Sequence, residues 1–166
     1  MNEKGIGKLL SRFHHVGVVV KNVDEAAEYY ENLGIGPFET SNLTHIDRKV
    51  YGKPAPDVKF AAKGTKLGPI GFELVQPVSG ETPQKKFLER CGEGINHIAF
   101  VVDDIEEATS IMVEAGFKAV SSAKNKGGGG MAFFDTDRTG GVQIELEELP
   151  PHLNEDPYWG LKPWSE

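Results

Sequence analysis

Residues 13–34, FHHVGVVVKNVDEAAEYYENLG, are repeated without a gap at residues 95–116, INHIAFVVDDIEEATSIMVEAG. The offset is constant: 97 − 15 = 82 brings His97 onto His15, and 116 − 34 = 82 brings Gly116 onto Gly34. Val19/Val101, Val20/Val102, Glu25/Glu107 and Ala26/Ala108 coincide as well. Each copy reads as an alternating strand opened by a histidine, followed by a capped amphipathic helix closed by glycine. A chain with this repeat is a duplicated module, and its two histidines occupy equivalent places.

In the first strand, His15, Gly17 and Val19 share one face and Val16, Val18 and Val20 the other; His97, Ala99 and Val101 repeat that division. Asn22 and Asp104 each precede a glutamate by three residues, the spacing of a capping box. The first helix presents Val23, Ala26, Ala27, Tyr30 and Leu33 as an apolar stripe, and the second presents Ile105, Ala108, Met112 and Ala115. Further strands are expected at 49–51, 58–62, 70–75, 131–134 and 142–146, with turns at 52–56 and 64–68. A short helix over 85–91 opens at Thr82-Pro83. Phe72-Glu73-Leu74 is echoed by Ile144-Glu145-Leu146, so each module carries a histidine in its first strand and a glutamate in its last. Gln143, Glu145 and Glu147 share a face of that last strand.

The expected organisation is a lead-in over 1–12, a first module over 13–80, a helical linker over 81–94, a second module over 95–148 and a tail over 149–166. The tail holds four prolines, Tyr158, Trp159 and Trp164, and reads as an extended segment packed on a surface. A hydrophobic content of 39% with 26% charged residues describes a globular chain, and no apolar run reaches the roughly 20 residues of a membrane helix. The net charge of −7 argues against general nucleic-acid binding, which rests on neutralising phosphates. Cys91 is the single cysteine, so neither an internal disulfide nor a cysteine-based zinc site is available. The N-terminus has no secretory pattern, and a cytoplasmic location is expected.

The paired placement of His15, Glu73, His97 and Glu145 brings two imidazoles and two carboxylates into one concavity if the modules are related by a twofold axis. Two nitrogen and two oxygen donors suit a borderline divalent ion, and buried carboxylates would be costly without one. Zinc, nickel, cobalt, manganese and iron all remain open as the metal.

The histidine–glutamate–histidine–glutamate order on a doubled strand–helix–strands plan resembles the vicinal oxygen chelate superfamily (glyoxalase/bleomycin resistance/dioxygenase) across roughly 13–147. The branch most similar is that of methylmalonyl-CoA epimerases. The resemblance rests on His15-Val-Gly-Val-Val-Val, Glu73-Leu-Val-Gln-Pro77, the run from Lys86 to Phe100 and Thr139-Gly-Gly-Val-Gln-Ile-Glu145-Leu. It implies an α+β fold of two tandem βαβββ modules, forming a curved mixed sheet around a metal-centred cavity. It further implies one divalent ion on His15, Glu73, His97 and Glu145, and an isomerase that removes a proton beside a carbonyl through a stabilised enolate. Glu145 is the expected base, with Glu73 able to act from the opposite side. A small-molecule substrate, an acyl-CoA thioester, and a homodimer follow from the same resemblance. A glyoxalase I-type lactoylglutathione lyase is the alternative, followed by an extradiol dioxygenase and a non-catalytic binding protein. The chain departs from the branch at Asn96, where its members carry a second histidine, and at Lys59, where some place a catalytic glutamate. Segment 44–56 does not match. Lys59, His45, Tyr51 and Asn96 are therefore candidate substrate contacts.

Overall fold

The computed structural model describes residues 3–41 and 43–151. The elements run α1 (Glu3–Leu9), β1 (Phe13–Val19), α2 (Val23–Asn32), β2 (Glu39–Thr40), β3 (His45–Val50), β4 (Lys53–Pro54), β5 (Lys59–Leu67), β6 (Ile70–Ser79), α3 (Pro83–Cys91), β7 (Gly94–Val101), α4 (Ile105–Glu114), β8 (Ala119–Asn125), β9 (Gly130–Phe134) and β10 (Gln143–Glu148). All the strands join one curled mixed sheet in the order β2-β5-β6-β1-β7-β10-β9-β8-β3-β4. Without β3 and β4 the order is a palindrome of the two modules: β2-β5-β6-β1 answers β8-β9-β10-β7. The modules meet along antiparallel β1 and β7. Each first strand runs parallel to the last strand of its own module, β1 to β6 and β7 to β10.

Local chemistry explains the repeated part. The Asn22 side chain accepts from the backbone N–H groups of Asp24 and Glu25, and Asp104 does the same for Glu106 and Glu107. Thr82 caps α3 by accepting from the Lys85 N–H, with Pro83 in the first turn. Helix α2 covers Val18, Val20, Phe72 and Leu74 through Val23 and Ala27. Helix α4 covers Phe100, Ala132, Phe134 and Leu146 through Ala108 and Met112. The two halves of the core thus lie under the helices, on the face of β1 and β7 opposite the histidines. The apolar stripes end one turn earlier than the sequence suggests. Leu33 and Ala115 are the equivalent C-caps of α2 and α4, and both are exposed.

Several boundaries differ from expectation. β5 runs through Gly64 to a turn at Gly68, where φ is +62°, because the antiparallel ladder to β6 overrides the local turn signal. β2 and β8 carry no strong alternation and are strands through pairing alone. The larger difference is the β3–β4 hairpin. It sits in the first module's sequence, yet β3 pairs antiparallel with β8 at the far edge of the second module. The first module is therefore a βαβββ unit with a two-stranded insertion that joins the other half of the sheet. Leu149 and Pro150 are buried; Tyr158, Trp159, Trp164 and the rest of the tail lie outside the described residues.

Candidate metal centre

The two parallel ladders place the glutamates beside the histidines. Gly17 pairs with Glu73 and, across the module boundary, with His97, while Ala99 pairs with Glu145. Gly17 is glycine for a steric reason: a Cβ built there would lie 1.9 Å from Cε1 and Nε2 of His97. The His97 ring fills that space and meets Phe133 edge-on, with ring centroids 5.0 Å apart.

His15, Glu73, His97 and Glu145 come together with all four side chains buried. His15 Nε2 and His97 Nε2 are 3.3 Å apart. Glu73 Oε2 is 3.2 Å from each of these nitrogens. Glu145 Oε2 is 3.4 Å from His15 Nε2 and 3.3 Å from His97 Nε2. The carboxylate pair closes the group within 4.8 Å. Donors around a four-coordinate ion with bonds of about 2.0–2.1 Å stand roughly 1.63 bond lengths apart, or about 3.3–3.4 Å. The spacing matches. The donor chemistry matches as well, since two imidazole nitrogens and two carboxylate oxygens converge on one point. The four side chains can hold a divalent cation.

The far sides of both rings are engaged, which orients Nε2 of each toward the centre. His97 Nδ1 lies 3.4 Å from Asn96 Oδ1; a proton held there would leave Nε2 to bind an ion. His15 Nδ1 lies 2.9 Å from His14 Nδ1 and 3.6 Å from Glu147 Oε1. Burial would raise the Glu73 carboxyl, but the His15 charge and hydrogen bonds from both histidines outweigh it and bring it to about 2. Burial would lower His15, yet the surrounding carboxylates raise it well above its ordinary value. Burial, with the neighbouring Glu145 charge, pushes the Glu147 carboxyl up to about 8. Burial and the neighbouring His15 push His14 down to about 3. The pocket is rich in negative charge and short of cations.

A cavity of about 110 Å³ opens onto Glu73 and Glu145. Of the four candidate substrate contacts, His45 lines it. Lys59 does not: it begins β5 as an exposed residue. Tyr51 does not either; it is 52% exposed at the tip of the β3–β4 hairpin, with Lys86 Nζ 4.7 Å from its ring centroid. Asn96 is 2% exposed and turns to His97, so it orients a ring instead of facing the cavity. Residues that sequence reasoning passed over include Arg48, Phe60, Gln84 and Glu147, all on the cavity wall. Glu147 was legible as a partner of Glu145 on one strand face. Arg48 carried no such signal.

The sequence model of the glyoxalase/bleomycin resistance protein/dioxygenase superfamily matches residues 14–134. Human mitochondrial methylmalonyl-CoA epimerase is 27% identical over 142 residues, which span 84% of this chain and 74% of that protein. The uncharacterised protein YqjC of Bacillus subtilis is 26% identical over 141 residues, spanning 84% of this chain and 93% of that one. The crystal structure of methylmalonyl-CoA epimerase from Mycobacterium tuberculosis matches with a TM-score of 0.60 at 24% identity, covering 87% of this chain and 92% of that chain. That structural likeness shows the fold.

Proposed function

The chain belongs to the glyoxalase/bleomycin resistance protein/dioxygenase superfamily, and from that premise we propose that it is a divalent-metal-dependent epimerase of methylmalonyl-CoA-like thioesters. The observation that carries the reading is the set of four buried donors at ion-binding separations, with two of them, Glu73 and Glu145, facing a cavity. Relatives named as methylmalonyl-CoA epimerases cover most of the chain and support the choice of reaction.

His15, Glu73, His97 and Glu145 would hold the ion. When bound, it supplies Lewis acidity that favours negative charge on a substrate carbonyl oxygen as the adjacent proton leaves. His15 and His97 would offer Nε2 to the ion, and His14 and Asn96 hold the opposite nitrogens and so orient the rings. In this reading Glu145 is the base, and Glu73, from the other module, would act from the opposite side. Two carboxylates on two sides of one carbon allow removal of a proton from one face and return to the other, which inversion requires. The cavity is well below the roughly 300–1,000 Å³ that encloses a drug-sized ligand, so it admits the acyl end of a thioester and leaves a bulky carrier outside.

The test is deuterium incorporation at the α-carbon of methylmalonyl-CoA in D2O with zinc- or cobalt-loaded protein. Exchange with inversion is expected. Absence of exchange with every metal rejects the substrate, and turnover of a hemithioacetal of glutathione in its place moves the chain to a lyase.

A further inference from the structure

β3 contains a bulge whose effect is to aim two side chains into the cavity. Ile46 pairs with Lys124 and Lys49 with Ser122, so three steps along β3 face two along β8. The extra residue is accommodated at Asp47, whose φ of +49° is a left-handed conformation seldom taken by residues other than glycine. In a regular strand, residues three apart point to opposite faces. Here His45 and Arg48, three apart, both line the cavity.

The Arg48 guanidinium stands there under the charge of Glu145, with one of its nitrogens unpaired among the described residues. Its carbon lies over the Phe60 ring, 5.0 Å from the centroid, a cation–π contact that holds the group against the cavity wall. Nη1 is buried and, among the described residues, has no hydrogen-bond partner; His45 Nδ1 is in the same state. A buried guanidinium N–H left unpaired is costly, and a strained backbone that brings it there adds to the cost. The remaining titratable groups on the cavity wall are Glu73, Glu145 and Glu147. The wall is thus divided, with carboxylates at the donor cluster and one cation on the inserted hairpin.

We propose that Arg48, assisted by His45 Nδ1, is the residue that recognises the free carboxylate of the substrate and so sets the specificity of the site. Guanidinium and carboxylate match in charge and fork geometry, and the pair would satisfy the open Nη1. This assignment rests on the epimerase reading above for the thioester end. It stands on the hairpin alone for the anionic end.

The probe pair is methylmalonate monoamide, which keeps one free carboxylate beside an amide carbonyl, and methylmalonamide, which keeps none, titrated calorimetrically into zinc-loaded and chelator-stripped full-length protein. Wild type is expected to bind the monoamide about tenfold or more tighter than the diamide, as charge-assisted hydrogen bonds imply. Arg48→Met should abolish that preference, and Arg48→Lys should restore part of it. An unchanged preference in Arg48→Met overturns the proposal. Should that variant misfold, the wild-type Arg48 Nε–H resonance decides: it shifts with the monoamide and not with the diamide, and no shift with either overturns the proposal. Failure to load zinc rejects the metal reading alone, because the arginine-dependent preference is read in the stripped protein too.

Discussion

Gly17 and His97 form one unit, since the ring occupies the volume a β-carbon would need. Gly17→Ala must push the imidazole away from Glu73 and Glu145. Zinc affinity, measured by competition with a chromophoric chelator, is expected to drop at least about tenfold while the strand pairing survives, a loss of the size seen when a ligand's support is removed. Unchanged affinity would mean that His97 is not a ligand. Glu145→Gln keeps the shape of the side chain and removes its basicity. Deuterium exchange at the substrate α-carbon should fall by about 10²–10⁴-fold. His45 carries a prediction for pH. Burial first, then Arg48, pushes its pKa down from 6.5 to about 4. On acidification the unfolded chain takes up the proton before the folded one, so this part of the stability is whole above about pH 6.5 and drains away toward pH 4. Urea denaturation of stripped wild type and His45→Gln at pH 7 and pH 5 isolates it: wild type should lose more stability between the two than the variant does.

Helices α2 and α4 were legible at their beginnings because capping is local. An oxygen at the cap and N–H groups two and three residues on need no distant partner. Asn22→Ala and Asp104→Ala should each cost about 1 kcal/mol in chemical denaturation, and the double variant their sum, because the caps belong to separate helices. Strands β1, β7 and β10 were legible from alternation. β8 was not, and of the β3–β4 hairpin only the end of β3 was expected as strand, because β3 is completed by residues 121–125, some seventy to eighty positions away. No pattern within 44–56 encodes that pairing. Asp47 marks the consequence. Asp47→Gly should retain the fold with equal or greater stability, since glycine adopts positive φ without steric cost; Asp47→Val should destabilise by about 1–2 kcal/mol. A valine variant as stable as wild type would argue against a left-handed residue in the bulge.

Over the whole molecule, the four donors belong to two modules and are assembled only when β1 and β7 pair, so an ion held by them favours the folded chain over the unfolded one. Zinc at a hundred times its dissociation constant should add about 2.7 kcal/mol to the unfolding free energy, and a chelator should remove it. Thermal melts with and without chelator would read this directly, and superimposable melts would contradict the centre.

The sequence by itself determined the duplication, the helices and the four donors, because repeat period, capping and alternation are written in neighbouring residues. His15, Glu73, His97 and Glu145 could be singled out before any coordinates, since the two copies name each other. Only the tertiary structure decided the separations among those donors and the turning of Asn96 toward His97. It likewise decided the crossing of β3 to the far module and the entry of Arg48 into the cavity. Those outcomes depend on which strand pairs with which across the sheet and on a single extra residue in one ladder. Strand register is a long-range property, and one slip in it exchanges the face that meets solvent for the face that meets substrate.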